Sequence, residues 1–155
     1  ASEMTGQSYG WGGFLGKRDC SATVRDIFLP FGIWLPRNSA AQARAGTFVS
    51  FEGMERSEKE ETLLRDGVPF TTLVAMRGHI MLYVGQRRGR PLVLHNTWGL
   101  RTCEEGREGR HIIGKTVITT LTPGKELPAL DPDRGLLIDR VTGMTLLCPG
   151  KAGRP

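Results

Sequence analysis

One cysteine and two histidines carry the chemistry this sequence offers. Cys20 stands in Arg18-Asp19-Cys20-Ser21, after a glycine- and aromatic-rich approach, Tyr9-Gly10-Trp11-Gly12-Gly13. It opens an amphipathic run in which Val24, Ile27, Phe28 and Phe31 recur at helical spacing. A thiol at a helix start faces unpaired backbone N–H groups and the positive end of the helix dipole. Both favour the thiolate, the form that attacks carbonyl carbons. A lone cysteine is more often a small buried hydrophobe, so the reading depends on its company. His79 heads Gly78-His79-Ile80-Met81-Leu82-Tyr83-Val84-Gly85, and His95 ends Leu92-Val93-Leu94-His95. As hairpin neighbours joined through Gln86 to Arg90, these strands bring the two imidazoles face to face at one sheet edge. Nucleophile, base and a group that orients the base are the parts of a triad. Either histidine alone reads as a half-buried strand residue. The pair with a helix-capping cysteine does not.

Other chemistries fit these residues poorly. A zinc site would draw on Cys20, His79, His95, Cys103 or His111, yet no Cys-x-x-Cys, His-x-x-x-His or similar close pair exists. A phosphate loop through Gly16-Lys17 fails because Trp11 replaces the first glycine and Arg18 the required Ser or Thr. No cofactor is called for. His111, beside a charged segment, reads as a surface histidine. Cys20, Cys103 and Cys148 are an odd number without short spacings, which argues against a disulfide framework and leaves a Cys103–Cys148 bridge open.

The elements that must position these groups divide into a helical first part and a strand-rich second part. The helix after Cys20 should end near Pro30 and Gly32. Asn38 and Ser39 cap a short helix through Ala40 to Ala43, closed by Gly46. Ser57-Glu58-Lys59-Glu60 has capping-box spacing, with Leu63 and Leu64 inward and Gly67 as the stop. Strands are expected at Thr71 to Met76, His79 to Val84, Pro91 to His95 and Thr116 to Leu121, separated by turn residues. Arg101 to Arg110 reads as an exposed polar loop. Helices followed by strands argue for an α+β domain with an antiparallel sheet. A single domain over residues 1–147 and a poorly ordered tail over 148–155 complete the expectation.

A chain of 155 residues, 39% apolar and 24% charged, can bury a sizeable core without staples. The longest apolar stretch, Ile27 to Leu35, is broken by Pro30 and Gly32 and falls far short of a membrane span. No secretory leader precedes the domain, and the chain begins at Ala1, as a mature or excised piece would. The net charge of +5 is scattered, its one tight cluster (Arg87, Arg88, Arg90) falling at a hairpin tip. Aromatics are not interleaved with a basic stripe, so no nucleic-acid partner is expected.

The segments Tyr9-Gly10-Trp11-Gly12-Gly13, Asp19-Cys20-Ser21, Leu35-Pro36-Arg37 with Ser39 and Gln42, and Gly78 to Gly85 resemble the NlpC/P60 cysteine peptidases, which cleave peptide stems of bacterial cell wall. The likeness runs from about Gly6 to Gly99, with a weaker part at Ile118 to Gly124. The wording around His95 and Trp98 is similar to a subgroup that carries bacterial SH3-like domains ahead of the catalytic one, and these residues contain no such domain. The sequence departs from the family at Phe70-Thr71-Thr72-Leu73, where a Gly-Asp-Leu turn is usual.

The resemblance implies a papain-like core in which N-terminal helices pack on a central antiparallel sheet. It implies Cys20 as nucleophile, His79 as general base and His95 as third member, with Asn96 a competitor for that place. Tyr9, Trp11, Asp19 and Ser21 would line the substrate cleft, Asp19 and Ser21 holding the free amino terminus of L-Ala-γ-D-Glu. Cleavage would fall between γ-D-Glu and the diamino acid of peptidoglycan stem peptides or muropeptides. That places the work in the cell envelope, periplasmic or secreted, with cytoplasmic recycling as the other setting. The rival readings are a thioester-forming amidase or acyltransferase on other amides and a non-catalytic wall-binding module.

Overall fold

The computed structural model describes residues 2–148. Four α-helices and six strands follow one another as α1 (Cys20–Phe28), α2 (Ser39–Gln42), β1 (Thr47–Ser50), α3 (Arg56–Asp66), β2 (Thr72–Met76), β3 (His79–Arg87), β4 (Arg90–Glu104), β5 (Arg107–Thr119), α4 (Leu137–Arg140) and β6 (Val141–Leu146). The strands form one antiparallel sheet in the order β1-β6-β2-β3-β4-β5. The fold class is α+β, with helices on both faces of the sheet.

Side-chain alternation along β2 and β3 explains why both faces are covered. Leu73, Ala75, Ile80 and Leu82 pack with Val24 and Phe28 of α1 and with Cys20 and Leu35. Val74, Met76, Met81 and Tyr83 point the other way, into a second core with Leu63 of α3, Leu137 and Ile138 of α4, Phe51 and Met144. Strands buried on both faces read as continuous apolar runs, and β2 is buried at every position. Each fully buried Leu or Ile here contributes about 1.5–3 kcal/mol relative to exposure.

α1 ends as expected. A 3-10 turn, Leu29–Phe31, follows Phe28, and Gly32 closes it in the left-handed region at φ 73°. The Arg88-Gly89 tip of the β3–β4 hairpin has φ of 52° and 72°, as a two-residue hairpin turn requires.

Several expectations are corrected. Arg101 to Arg110 is not a loop. β4 and β5 pair continuously from Val93↔Thr119 to Glu104↔Arg107, with a bulge near Trp98, so this segment is the outer end of a long hairpin. The capping box of α3 is Glu55 with Glu58, two residues earlier than the Ser57–Glu60 spacing suggests. β1, α4 and β6 were not anticipated, and β6 is a central strand between β1 and β2. Gly143 in β6 explains the miss: a Cβ there would stand 2.4 Å from the Val49 carbonyl oxygen and 2.5 Å from the Phe48 ring. Close approach demands glycine, and glycine erases the strand signal. All cysteines are free, Cys103 partly buried and Cys148 exposed. The rest of the expected tail, 149–155, lies outside the described residues. No helix among the described residues is long and apolar enough to cross a membrane.

Candidate active site

Cys20 is the first residue of α1, and a small polar scaffold fixes that helix end. Asp19 is the N-cap, its Oδ1 accepting from the Ala22 N–H at 2.9 Å. Arg37 grips the same carboxylate with both guanidinium arms, Nη1 to Oδ1 at 2.9 Å and Nη2 to Oδ2 at 2.8 Å. Ser21 Oγ donates to the Arg37 carbonyl oxygen at 2.6 Å and accepts from Nη1 at 2.8 Å. Gln42 Nε2 donates to the carbonyl oxygens of Ser21 and Pro36, each at 2.8 Å. The Pro36-Arg37 loop and α2 therefore hold the Asp19-Cys20-Ser21 turn from outside.

Behind it, His79 Nε2 lies 3.0 Å from His95 Nδ1, the rings nearly perpendicular. His95 Nε2 lies 3.1 Å from Thr119 Oγ1 on β5. The β3–β4 pairing stops at Leu82↔Leu94, so the imidazoles meet where the ladder opens. Two tautomer sets satisfy every contact with neutral rings, and in the one that suits a base His95 Nε2–H donates to Thr119 Oγ1 and His79 Nε2–H donates to His95 Nδ1. That leaves His79 Nδ1 bare, the nitrogen able to take a proton. The backbone N–H of Ile80, the residue after His79, lies near enough to the Cys20 sulfur to favour its thiolate.

The electrostatics correct one expectation. The helix end does not make Cys20 a resting thiolate. Burial pushes its thiol up from the ordinary value, and the nearby Asp19 charge adds to this. The N–H groups of Ile80, Ser21 and Cys20 itself pull the other way and lose. The carboxylate that caps the helix thus cancels part of the field the helix supplies. Burial likewise lowers His79 to about 4, with the Arg140 charge as a second cause. His95 is lowered well below its ordinary value, first by burial and then by His79. Near neutrality the site rests as thiol and uncharged imidazoles.

An acid-stability prediction follows for His79. Its folded value, about 4, lies below the unfolded value of 6.5, so the stabilisation is complete above the higher figure and is lost as pH falls from there toward 4. The loss amounts to about 3 kcal/mol. Urea midpoints of the wild type should fall over that interval, and those of His79→Gln should fall less, the buried His95 contributing the remainder.

Tyr9, Trp11, Asp19, Cys20, Ser21 and Arg37 line a cavity of about 400 Å³. Tyr9 is raised to about 12 by burial, and then by the Cys20 and Asp19 charges, so its hydroxyl keeps its proton beside the sulfur. The Tyr9 ring packs edge-on against Trp11 at 5.2 Å, and Trp11 is 66% exposed at the rim. An adjoining depression of about 150 Å³ contains His79 and shares the Tyr9, Trp11 and Gly78 wall. His95 is fully enclosed behind His79. Asn96 is not part of this chain of groups: its Nδ2 donates to the Arg18 carbonyl oxygen at 2.7 Å, tethering the approach to Cys20. Among the described residues no three His, Cys, Asp or Glu side chains gather as a metal-ligand set. Sequence reasoning missed Thr119, whose place follows only from the β4–β5 register. It also gave no role to Arg37 and Gln42, though both stood in quoted motifs.

The NlpC/P60 family profile matches residues 6–108. Among solved structures, the chain is similar to an NlpC/P60 endopeptidase from Photobacterium damselae subsp. piscicida. Identity there is 29% and the TM-score 0.82, over 95% of this chain and 37% of that one. An NlpC/P60 family protein from Bacillus cereus shares 20% identity with TM-score 0.55, over 93% and 36%. The peptidoglycan hydrolase RipB from Mycobacterium tuberculosis shares 19% with TM-score 0.52, over 94% and 60%. The chain thus spans about a third to three fifths of the relatives it matches. No curated protein matches it.

Proposed function

This chain belongs to the NlpC/P60 family, and on that premise we propose that it is a cysteine endopeptidase hydrolysing the γ-D-glutamyl–diamino acid bond of peptidoglycan stem peptides. Residues 1–147 are its catalytic domain, and its place of action is the cell envelope. Cys20 is the nucleophile, His79 the general base and acid, and His95 the group that orients His79. The observation that carries the reading is the buried 3.0 Å contact between His79 Nε2 and His95 Nδ1, which engages Nε2 and leaves Nδ1 as the nitrogen without a side-chain partner among the described residues.

Because thiol and imidazole rest uncharged, proton transfer accompanies attack. Cys20 gives its proton to His79 Nδ1 as the sulfur bonds to the γ-glutamyl carbonyl carbon. The oxyanion is met by the Cys20 backbone N–H and the Tyr9 hydroxyl. On collapse the C–N bond breaks, and the His79 imidazolium protonates the departing amine. Water, deprotonated by the now neutral His79, attacks the thioester; the C–S bond breaks and the sulfur recovers its proton. Buried His95 keeps the Nε2 side of His79 occupied, so every proton moves through Nδ1.

The acyl part occupies the Cys20 cavity, its free amino terminus against Asp19. That carboxylate has about four lone-pair sites. Ala22, one arm of Arg37 and the Ser21 hydroxyl crowd Oδ1, the other arm of Arg37 takes one site on Oδ2, and the second site on Oδ2 remains for an ammonium. Asp19→Asn should therefore cost substrates with a free L-Ala amine about tenfold more in kcat/KM than their N-acetylated counterparts. Equal losses in paired kinetic assays would remove the amine from the Asp19 site.

The reaction itself is tested by incubating L-Ala-γ-D-Glu–diamino acid–D-Ala peptides with the protein and identifying the products by mass. Release of L-Ala-γ-D-Glu is expected. A cut at any other bond defeats the assignment.

A further inference from the structure

The two hollows that meet at the Tyr9–Trp11 wall differ in charge. The Cys20 side pairs Asp19 with Arg37. The His79 side has no carboxylate in its lining and three arginines: Arg77, Arg110 and Arg140. Among the described residues none of the three takes part in an ion pair. The one side-chain hydrogen bond they make is from Arg110 Nη1 to the Gly99 carbonyl oxygen, at 3.5 Å. Arg140, at the end of α4, is half-buried and faces its own kind. Burial, then the charges of Arg101, Arg110 and Arg134, lower it from the ordinary arginine value. Arg101 adds a buried Nε with no hydrogen-bond partner. The acid nearest in effect, Asp131, is already engaged by the backbone N–H groups of Asp133 and Arg134, at 2.9 and 2.8 Å. Among the described residues Arg140 is thus a half-buried guanidinium without an ion-pair partner, flanked by the exposed Arg77 and Arg110, an arrangement that an anion would stabilise.

We propose that Arg140, Arg110 and Arg77 form a carboxylate-binding subsite beside His79, which takes a free carboxylate of the fragment leaving with the diamino acid. The assignment rests on the reaction proposed above. His79 must hand its proton to the departing amine, so the leaving fragment lies against the His79 hollow and not in the Cys20 cavity. That fragment offers carboxylates in two places: on the side chain, when the diamino acid is a dicarboxylic one such as diaminopimelate, and at the peptide's C-terminus. A lysyl side chain would bring an ammonium into the same cluster. Arg110 and Arg140 lie outside the residues the family profile matches and Arg77 lies within them.

The test uses L-Ala-γ-D-Glu–diaminopimelyl-D-Ala, the same peptide with only its side-chain carboxylate amidated, the same with only its C-terminus amidated, and the lysyl peptide. Amidation of the carboxylate that is bound should lower wild-type kcat/KM about tenfold or more. In Arg140→Gln the acid-to-amide ratio should fall toward one, in Arg110→Gln partway, and Arg140→Lys should restore part of it. Whichever amidation is costly identifies the source of the carboxylate. Equal wild-type kcat/KM for all four peptides overturns the subsite and leaves the bond assignment standing. So does an Arg140→Gln variant that keeps the full ratio. Calorimetry with the free fragment diaminopimelyl-D-Ala separates the two claims. Binding weakened by Arg140→Gln, in a protein that cleaves none of the peptides, keeps the subsite and defeats the reaction.

Discussion

Cys20→Ala is expected to lower kcat/KM for L-Ala-γ-D-Glu–diamino acid peptides on the order of 10⁴-fold or more, as loss of a covalent nucleophile does. The fold should barely notice. The residue is 6% exposed in a core that also holds Val24, Phe28 and Leu35, and deleting one sulfur atom there costs about 1 kcal/mol. The capping contacts of Asp19 and the Gln42 bonds do not involve the sulfur. Activity and thermal midpoint therefore separate, which a purely structural cysteine would not allow. Alkylation gives an independent view. A thiol pushed up by burial should react slowly with iodoacetamide near neutrality and faster as pH rises. Fast, pH-independent labelling would mean that a thiolate rests in the site.

The second large effect is at His95. Replacing it with Ala removes the acceptor for His79 Nε2–H and leaves that donor buried and unpaired. His79 can then turn, or adopt the tautomer that puts the proton on the nitrogen needed bare. Turnover should fall about 10²–10⁴-fold, with KM changed little because His95 touches no open cavity. Restoring a hydrogen-bond acceptor with His95→Asn should recover part of the loss. Asn96→Ala is the contrasting variant. It frees the Arg18 carbonyl oxygen, so it should cost about 1–3 kcal/mol of stability and far less turnover. If Asn96→Ala proved the inactive variant and His95→Ala the active one, the orienting role would pass to Asn96.

What could be read from the sequence, and what could not, follows from the range of each signal. α1 and its stop were legible because an N-cap, a 3.6-residue apolar stripe and Pro30-Gly32 are local features. The β3–β4 hairpin was legible for the same reason, through Arg88-Gly89. β6 was not: its partners, β1 and β2, are distant in sequence, and Gly143 interrupts its apolar pattern. The loop expected at Arg101 to Arg110 is a polar hairpin, since both strands project beyond the core and need no apolar alternation there. At Phe70 the family's usual glycine-containing turn is absent, and Phe70 itself adopts the left-handed conformation, at φ 65°.

In the candidate site, residue types pointed to Cys20, His79 and His95, but not to their charge states. Those depend on burial, which a motif does not encode, and burial outweighed the helix end. Arg37 and Gln42 were visible as motif letters without a role until their hydrogen bonds to Asp19, Ser21 and Pro36 could be seen. Thr119 had no signal. Its hydroxyl reaches His95 only because β5 pairs with β4 in one register, Val93↔Thr119 and His95↔Val117.

The account's central claim is that Cys20 forms a thioester with the γ-glutamyl carbonyl, using the proton route through His79. Intact-protein mass spectrometry on a rapidly acid-quenched mixture of protein and L-Ala-γ-D-Glu–diamino acid–D-Ala peptide tests this most directly. A transient mass increase equal to the L-Ala-γ-D-Glu acyl group, mapped to Cys20 and absent in His79→Ala, is the predicted result. Release of L-Ala-γ-D-Glu by the Cys20→Ala protein at the wild-type rate would contradict it.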